Sequence, residues 1–126
     1  MTPATAIALS GLTAATLKLN ASASNLANDD DASAVGSTGD APVQVADTAA
    51  PGGGVIAQAV TAKSASLIAY DPTSPIAGAP GQIDTPDIDP ITEISHQLAA
   101  SNAFGFSLRA LKAADDEQQT LLDLTT

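Results

Sequence analysis

The stretch from residue 89 to residue 126 constrains this chain more than any other. It has no proline after Pro90 and a single glycine, Gly105. Asp89 suits a helix N-cap, because its carboxylate accepts from the free N–H groups of the first turn. Pro90 then takes the first helical position, where its missing N–H has no partner to lose. Glu93 adds negative charge at the positive end of the helix dipole. Ile91, Ile94, Leu98, Leu108, Leu111 and Leu122 follow, with Ala99, Ser101, Gly105 and Asp115 at helical spacing in the gaps. The spacing predicts one amphipathic helix over 89–126, roughly 50 Å long at 1.5 Å per residue. A helix of that length cannot bury its stripe against itself and needs a partner.

Residues 1–28 supply one. Thr2-Pro3 again reads as a cap followed by a first-turn proline. Thr5, Leu9, Leu12, Thr16, Leu19, Ala23 and Leu26 recur at alternating steps of four and three, a heptad seam. Ser10, Gly11, Ala14, Ala15, Asn20, Ser22, Ser24 and Asn25 surround that seam, and side chains this small let more than one neighbour approach closely. A surface helix of a small bundle is the plain alternative. The chain has no Trp, one Tyr and two Phe, so the large buried areas that aromatics give most cores are missing. One intramolecular helix pair then buries little against the entropy of ordering it. The expectation is a free monomer with frayed ends, completed by neighbouring subunits.

Between the helices, Asp29-Asp30-Asp31 opposes the dipole at the first helix's C-terminus and should stop it. Residues 29–54 have the Gly, Pro, Ser and Asp content of a linker, with Val43-Gln44-Val45 as a minor strand. Val55, Ile56, Val60, Leu67, Ile68 and Tyr70 predict a small β-hairpin near 55–70 with its turn near Lys63-Ser64. Pro72, Pro75, Pro80 and Pro86 then make a turn-rich connector. The expected organisation is a helix over 1–28, a loop-rich insert over 29–88 and a helix over 89–126. The expected class is mainly α, with the terminal helices paired as an antiparallel coiled coil.

The net charge of −10 is unevenly spread: residues 1–28 carry no acid, and residues 29–89 hold nine of the fourteen. Such a balance disfavours nucleic acid, whose affinity rests on neutralised phosphates. No apolar run reaches the roughly 20 residues of a membrane span, so stable insertion is not expected. There is no cysteine, which removes disulfides and thiol chemistry. The first residues show no basic region, apolar run and small-residue cleavage site, so any export is expected to proceed without a cleaved signal peptide.

No catalytic constellation stands out, and no cofactor is expected. Glu93 and His96 have the Glu-x-x-His spacing of di-iron bundles, but such sites need a second pair and His96 is the only histidine. A hydrolase or metalloprotein is therefore the weakest reading. Ser10 and Ser95 lack triad partners. Gly52-Gly53-Gly54 is not followed by the Gly-Lys-Ser/Thr of a phosphate loop. Asp84, Asp87 and Asp89 lack the Gly and Glu of a calcium loop. Asp115-Asp116-Glu117 reads as a solvated helix face.

Ala8-Leu9-Ser10-Gly11-Leu12, together with Leu19-Asn20-Ala21-Ser22-Ala23-Ser24-Asn25-Leu26-Ala27-Asn28, resembles the N-terminal signature of bacterial flagellar rod and hook proteins. The closing helix, with Ala100-Ser101, Phe104 and Lys112-Ala113-Ala114-Asp115-Asp116-Glu117, is similar to that family's last helix. Leu67-Ile68-Ala69-Tyr70-Asp71-Pro72 and Pro86-Asp87-Ile88-Asp89-Pro90 narrow the resemblance to its small proximal-rod subunits. The sequence departs from the family at Asp29-Asp30-Asp31, at Asn102 and at Phe104. The resemblance implies a structural subunit of a helical axial tube, with itself, other rod proteins and the flagellar type III export apparatus as partners. It implies a place in the basal body, crossing the periplasm. The subunit and helix contacts are then expected at Leu9, Leu12, Leu19, Ala23 and Leu26 on the first helix. On the second they fall at Ile91, Ile94, Leu98, Gly105, Leu108, Leu111 and Leu122. A small exported binding module, a cap or chaperone-like cargo, is the rival reading.

Overall fold

The computed structural model describes residues 2–37, 41–62 and 66–124. Helix α1 runs Pro3–Ala27 and helix α2 runs Pro90–Asp123. Thr2 caps α1, its side chain accepting from the Thr5 N–H at 3.4 Å. Asp89 caps α2, accepting from the Ile91 N–H at 3.2 Å and the Thr92 hydroxyl at 2.5 Å. The helices lie antiparallel: the Ser22 hydroxyl donates to the Glu93 carbonyl at 2.7 Å, and Gly11 faces Ser107 further along.

The Asp89 carboxyl is held below its ordinary value of 3.8, first by the Thr92 hydroxyl and then by the Ile91 N–H. A carboxylate whose folded pKa is depressed stabilises the fold above its unfolded value, and that contribution is lost as pH falls through the folded one. The protection factor of the Ile91 amide should therefore drop as pH goes below 3.8. Protection that persists in acid would show that Asp89 does not hold this turn.

The middle of the chain is not loop-rich. Among the described residues five strands form there: β1 (Ser33–Ala34), β2 (Val43–Ala49), β3 (Val55–Thr61), β4 (Ser66–Tyr70) and β5 (Gln82–Pro86). They make two antiparallel sheets, β2-β3 and β1-β5-β4. With about 50% helix and 22% strand, the chain is not a mainly α coiled coil with a small hairpin. The expected hairpin over 55–70 is divided between the two sheets. Val55 pairs with Ala49, and Tyr70 pairs with Gln82. The turn expected near Lys63-Ser64 lies outside the described residues.

The reasons are local. Pro51 and three glycines at positive φ, Gly52, Gly53 and Gly54, reverse the chain tightly enough to close β2 on β3. Pro86 is tolerated at the end of central strand β5 because its ring replaces an N–H on the side where two-residue β1 has already ended.

Sheet β2-β3 lies along α1, whereas no element of sheet β1-β5-β4 packs on either helix among the described residues. Asp84 is the buried acid of the three-stranded sheet, and it accepts from the Gly36 N–H at 2.9 Å. Apart from Ile83 and Pro42, the buried apolar residues among those described are all alanines: Ala8, Ala14, Ala15, Ala21, Ala100 and Ala114. The surface area is 8258 Å². A compact monomer of 12.4 kDa would expose about 6,100 Å². The excess is surface that a single copy does not cover.

Candidate assembly interface

The contact between α1 and α2 is built from small side chains. On α1 the inward row is Thr5, Ala8, Leu12, Ala15, Leu19, Ser22 and Leu26, in which the smaller residues are buried and the leucines half-buried. On α2 it is Glu93, Gln97, Ala100, Phe104, Ser107, Leu111, Ala114 and Gln118, again at steps of four and three. Ala15 and Ala100 are only 2% and 3% exposed. Gly11 lets the backbones meet: a Cβ there would lie 2.6 Å from the Ser107 Oγ. Gly11→Leu should destabilise the chain by about 1–3 kcal/mol through overpacking, and Ser107→Gly should restore part of the loss. Equal urea midpoints for Gly11→Leu and the parent would contradict this contact.

A second face of α1 holds the β2-β3 hairpin, and Asn25 is its main fastener. Asn25 is 4% exposed. Its Oδ1 accepts from the Val43 N–H at 2.7 Å, and its Nδ2 donates to the Val43 carbonyl and to Glu93 Oε1, both at 2.9 Å. One side chain thus ties α1 to the start of β2 and to the first turn of α2. Lys18 pairs with Asp47 at 2.5 Å midway along the hairpin; this ion pair is exposed and contributes little. At the far end the Ser10 hydroxyl donates to the Ile7 carbonyl at 2.7 Å and accepts from the Val55 N–H at 3.1 Å. A Cβ on Gly54 would collide with that hydroxyl, so the glycine run serves both a positive φ and close approach to α1.

The expected contact residues lie mostly away from these seams. Leu12, Leu19, Leu26, Leu111 and Gly105 are half-buried, whereas Leu9, Ala23, Ile91, Ile94, Leu98, Leu108 and Leu122 are exposed. On α2 they fall into a pattern. Ile91, Ile94, Leu98, Ser101, Gly105 and Leu108 follow one another at steps of three and four. This row is displaced from the inward row by one residue, about 100° around the helix. Ile91 is 77% and Leu98 63% exposed. The more apolar of the two rows on α2 therefore lies on an exposed flank of the helix, to the side of its contact with α1. Position-by-position reading of the sequence did not place Asn25, Ser22, Gly11, Ala8 or Ala15 among the contacts, although a run of small residues on several faces of α1 was the available signal.

Glu93 and His96 approach to 3.6 Å on α2, but the Glu93 carboxylate is also held by Asn25. Among the described residues no group of three or more His, Asp or Glu side chains is placed to hold a metal ion. No described helix is long and apolar enough to cross a membrane. An open apolar groove runs between Ile7, Val55 and Phe106, and the Arg109 guanidinium sits 5.8 Å from the Phe106 ring centre.

A helix pair closed by alanines, with its greasier row uncovered, has the surface of an assembly subunit. The chain is 33% identical over 113 residues, 83% of each chain, to the flagellar basal-body rod protein FlgC of Escherichia coli O6:H1. It is 31% identical over 113 residues, again 83% of each, to FlgC of Salmonella typhimurium. Over 118 residues it is 34% identical to FlgC of Buchnera aphidicola subsp. Acyrthosiphon pisum, covering 86% of this chain and 85% of the relative. No family model matches. The chain belongs to the FlgC family of flagellar basal-body rod proteins, and its role is that of a structural subunit of the basal-body rod.

Proposed function

We propose that this chain assembles with copies of itself and with other axial proteins into the proximal segment of the rod, a helical tube that transmits torque. The observation that carries this reading is the outward row of α2, from Ile91 to Leu108, left bare by the chain's own fold. A patch of that kind on one subunit, meeting a different patch on the next, gives a heterologous contact that propagates as a helix instead of closing. Leu9 and Ala23, exposed on α1, face neighbours in this arrangement. Leu12, Leu19, Leu26 and Leu111, half-buried in the inward rows, hold the helix pair together beneath this surface, and Leu122 is exposed near the end of α2. The small Ser101 and Gly105 in mid-row allow another helix to come close.

The role is mechanical and uses no cofactor or catalytic group. The chain travels to its place through the flagellar type III export apparatus with an uncleaved N-terminus, and then crosses the periplasm as part of the rod. Electron microscopy of basal bodies carrying an epitope on this chain tests the reading. Label between the membrane ring and the distal rod is the expected result. Label on the hook, or on a soluble complex with unassembled axial proteins, would replace the rod reading with that of an exported binding module.

A further inference from the structure

The three-stranded sheet ends on β4, and no described residue covers the outer edge of that strand. The Asp71 N–H donates to the Gly81 carbonyl at 2.9 Å, continuing the β4-β5 register by one pair. Hydrogen-bonded pairs alternate in an antiparallel ladder, so Leu67 with Thr85 and Ala69 with Ile83 exchange the ladder bonds. The N–H and C=O groups of Ser66, Ile68 and Tyr70 therefore point away from β5, along the open edge. The Gln82 carbonyl fits this phase, since it faces away from β4 and accepts from the Gly78 N–H at 3.0 Å. Natural edge strands are usually blunted by charge, proline or a bulge. β4 has neither charge nor proline, and its Ile68 and Tyr70 side chains are 63% and 72% exposed.

Charge identifies the occupant. Residues 29–89 carry nine acids and one base, Lys63. Asp71 follows Tyr70 at one end of the edge; at the other end Asp87 follows Pro86 on β5, one strand in from the edge and about 10 Å from an added strand, a span a lysine side chain can bridge. The Asp71 carboxylate accepts from the Thr73 hydroxyl at 2.7 Å and the Thr73 N–H at 3.0 Å, which hold it ionised. A second copy would bring the same excess of acid to this edge and be repelled. We propose that the open edge of β4 receives, as a fourth strand, an extended segment of a different protein, rich in β-branched residues and basic at both ends. The backbone groups of Ser66, Ile68 and Tyr70 supply the affinity, and Asp71 and Asp87 select the basic ends. This surface lies on the sheet that packs on neither helix, so it is separate from the outward row of α2.

The test is a titration of the isotope-labelled full chain with the peptide Lys-Val-Thr-Val-Thr-Val-Lys, followed by nuclear magnetic resonance. The expected result is saturable shifts and amide protection at Ser66, Ile68 and Tyr70. Binding should weaken roughly tenfold with glutamate in place of both lysines, and should also weaken in high salt. Ile68→Pro removes an N–H at the open edge and leaves the β5 ladder intact, so it should weaken binding by a similar factor with Ile83 and Thr85 unshifted. If that variant disturbs the sheet, the Asp71→Asn, Asp87→Asn pair reads the same contact. The proposal is overturned if β4 does not respond or if the glutamate peptide binds equally well. It is also overturned if Ile68→Pro abolishes self-association without peptide, because a second copy would then be the occupant.

Discussion

A chain carrying both Leu98→Asp and Leu108→Asp should fold like its parent and build no rod. Both leucines are at least half exposed on the outward face of α2, so the isolated chain loses little, within the about 0.5 kcal/mol usual for surface changes. In an assembled tube each leucine would contribute about 1.5–3 kcal/mol, and an aspartate in its place must be stripped of water with no partner. That penalty recurs at every subunit contact. The measurements are thermal unfolding of the purified chain and a swimming assay of a strain whose only copy is the variant. Normal motility would show that the outward row is not an assembly surface. Leu12→Asp makes an informative contrast. Leu12 is half-buried in the inward row, so this variant should lose both chain stability and motility.

Replacing Asn25 by leucine should be the most destabilising single change inside the chain. It leaves the Val43 N–H, the Val43 carbonyl and one Glu93 oxygen without the partner that now serves all three. At about 1–3 kcal/mol for each buried group left unsatisfied, partly relieved by water, the expected loss is about 3–5 kcal/mol. Asn25→Asp keeps the acceptor for the Val43 N–H, but it loses both donated bonds and sets a second carboxylate against Glu93. Glu93→Gln should therefore rescue Asn25→Asp more than it rescues Asn25→Leu. A double-mutant cycle in urea measures this coupling. A coupling near zero would mean that Asn25 and Glu93 do not meet in solution.

The helices were legible because their start signals are short-range chemistry. Thr2-Pro3 and Asp89-Pro90 mark first turns whatever the rest of the chain does. The strands were legible only in part: Val43-Gln44-Val45 and the strand formers from Val55 to Tyr70 fall on β2, β3 and β4, but the length of β2 and the pairing into two sheets were not. The half-buried positions of β2 and β3, Val43, Val45, Val55 and Ala57, alternate only over the first three residues of each strand, so the period-two signal is short. The Pro and Gly residues that read as linker are the turn and the end residue of the sheets themselves. On α1 the sequence pattern favoured Leu9, Thr16 and Ala23 as seam positions, whereas the fold buries Ala8, Ala15 and Ser22 one place earlier. Hydrophobic periodicity ranks residues by size, and a helix pair in close approach selects against size. In the sequence Asn25 reads as one of the small and polar residues around the α1 seam and as part of a family signature. Its work, pairing with a strand backbone that lies 18 positions away, is a long-range contact that no local pattern encodes.

The alanine-lined seam leaves the two helices almost no slack. Each extra methylene at Ala8, Ala15, Ala100 or Ala114 would pry the axes apart and tilt the exposed flank of α2. Repeated in every protomer of a polymer, so small a rotation would accumulate along the shaft. Bore and pitch would then be set, methyl by methyl, by the least conspicuous side chains in the protein.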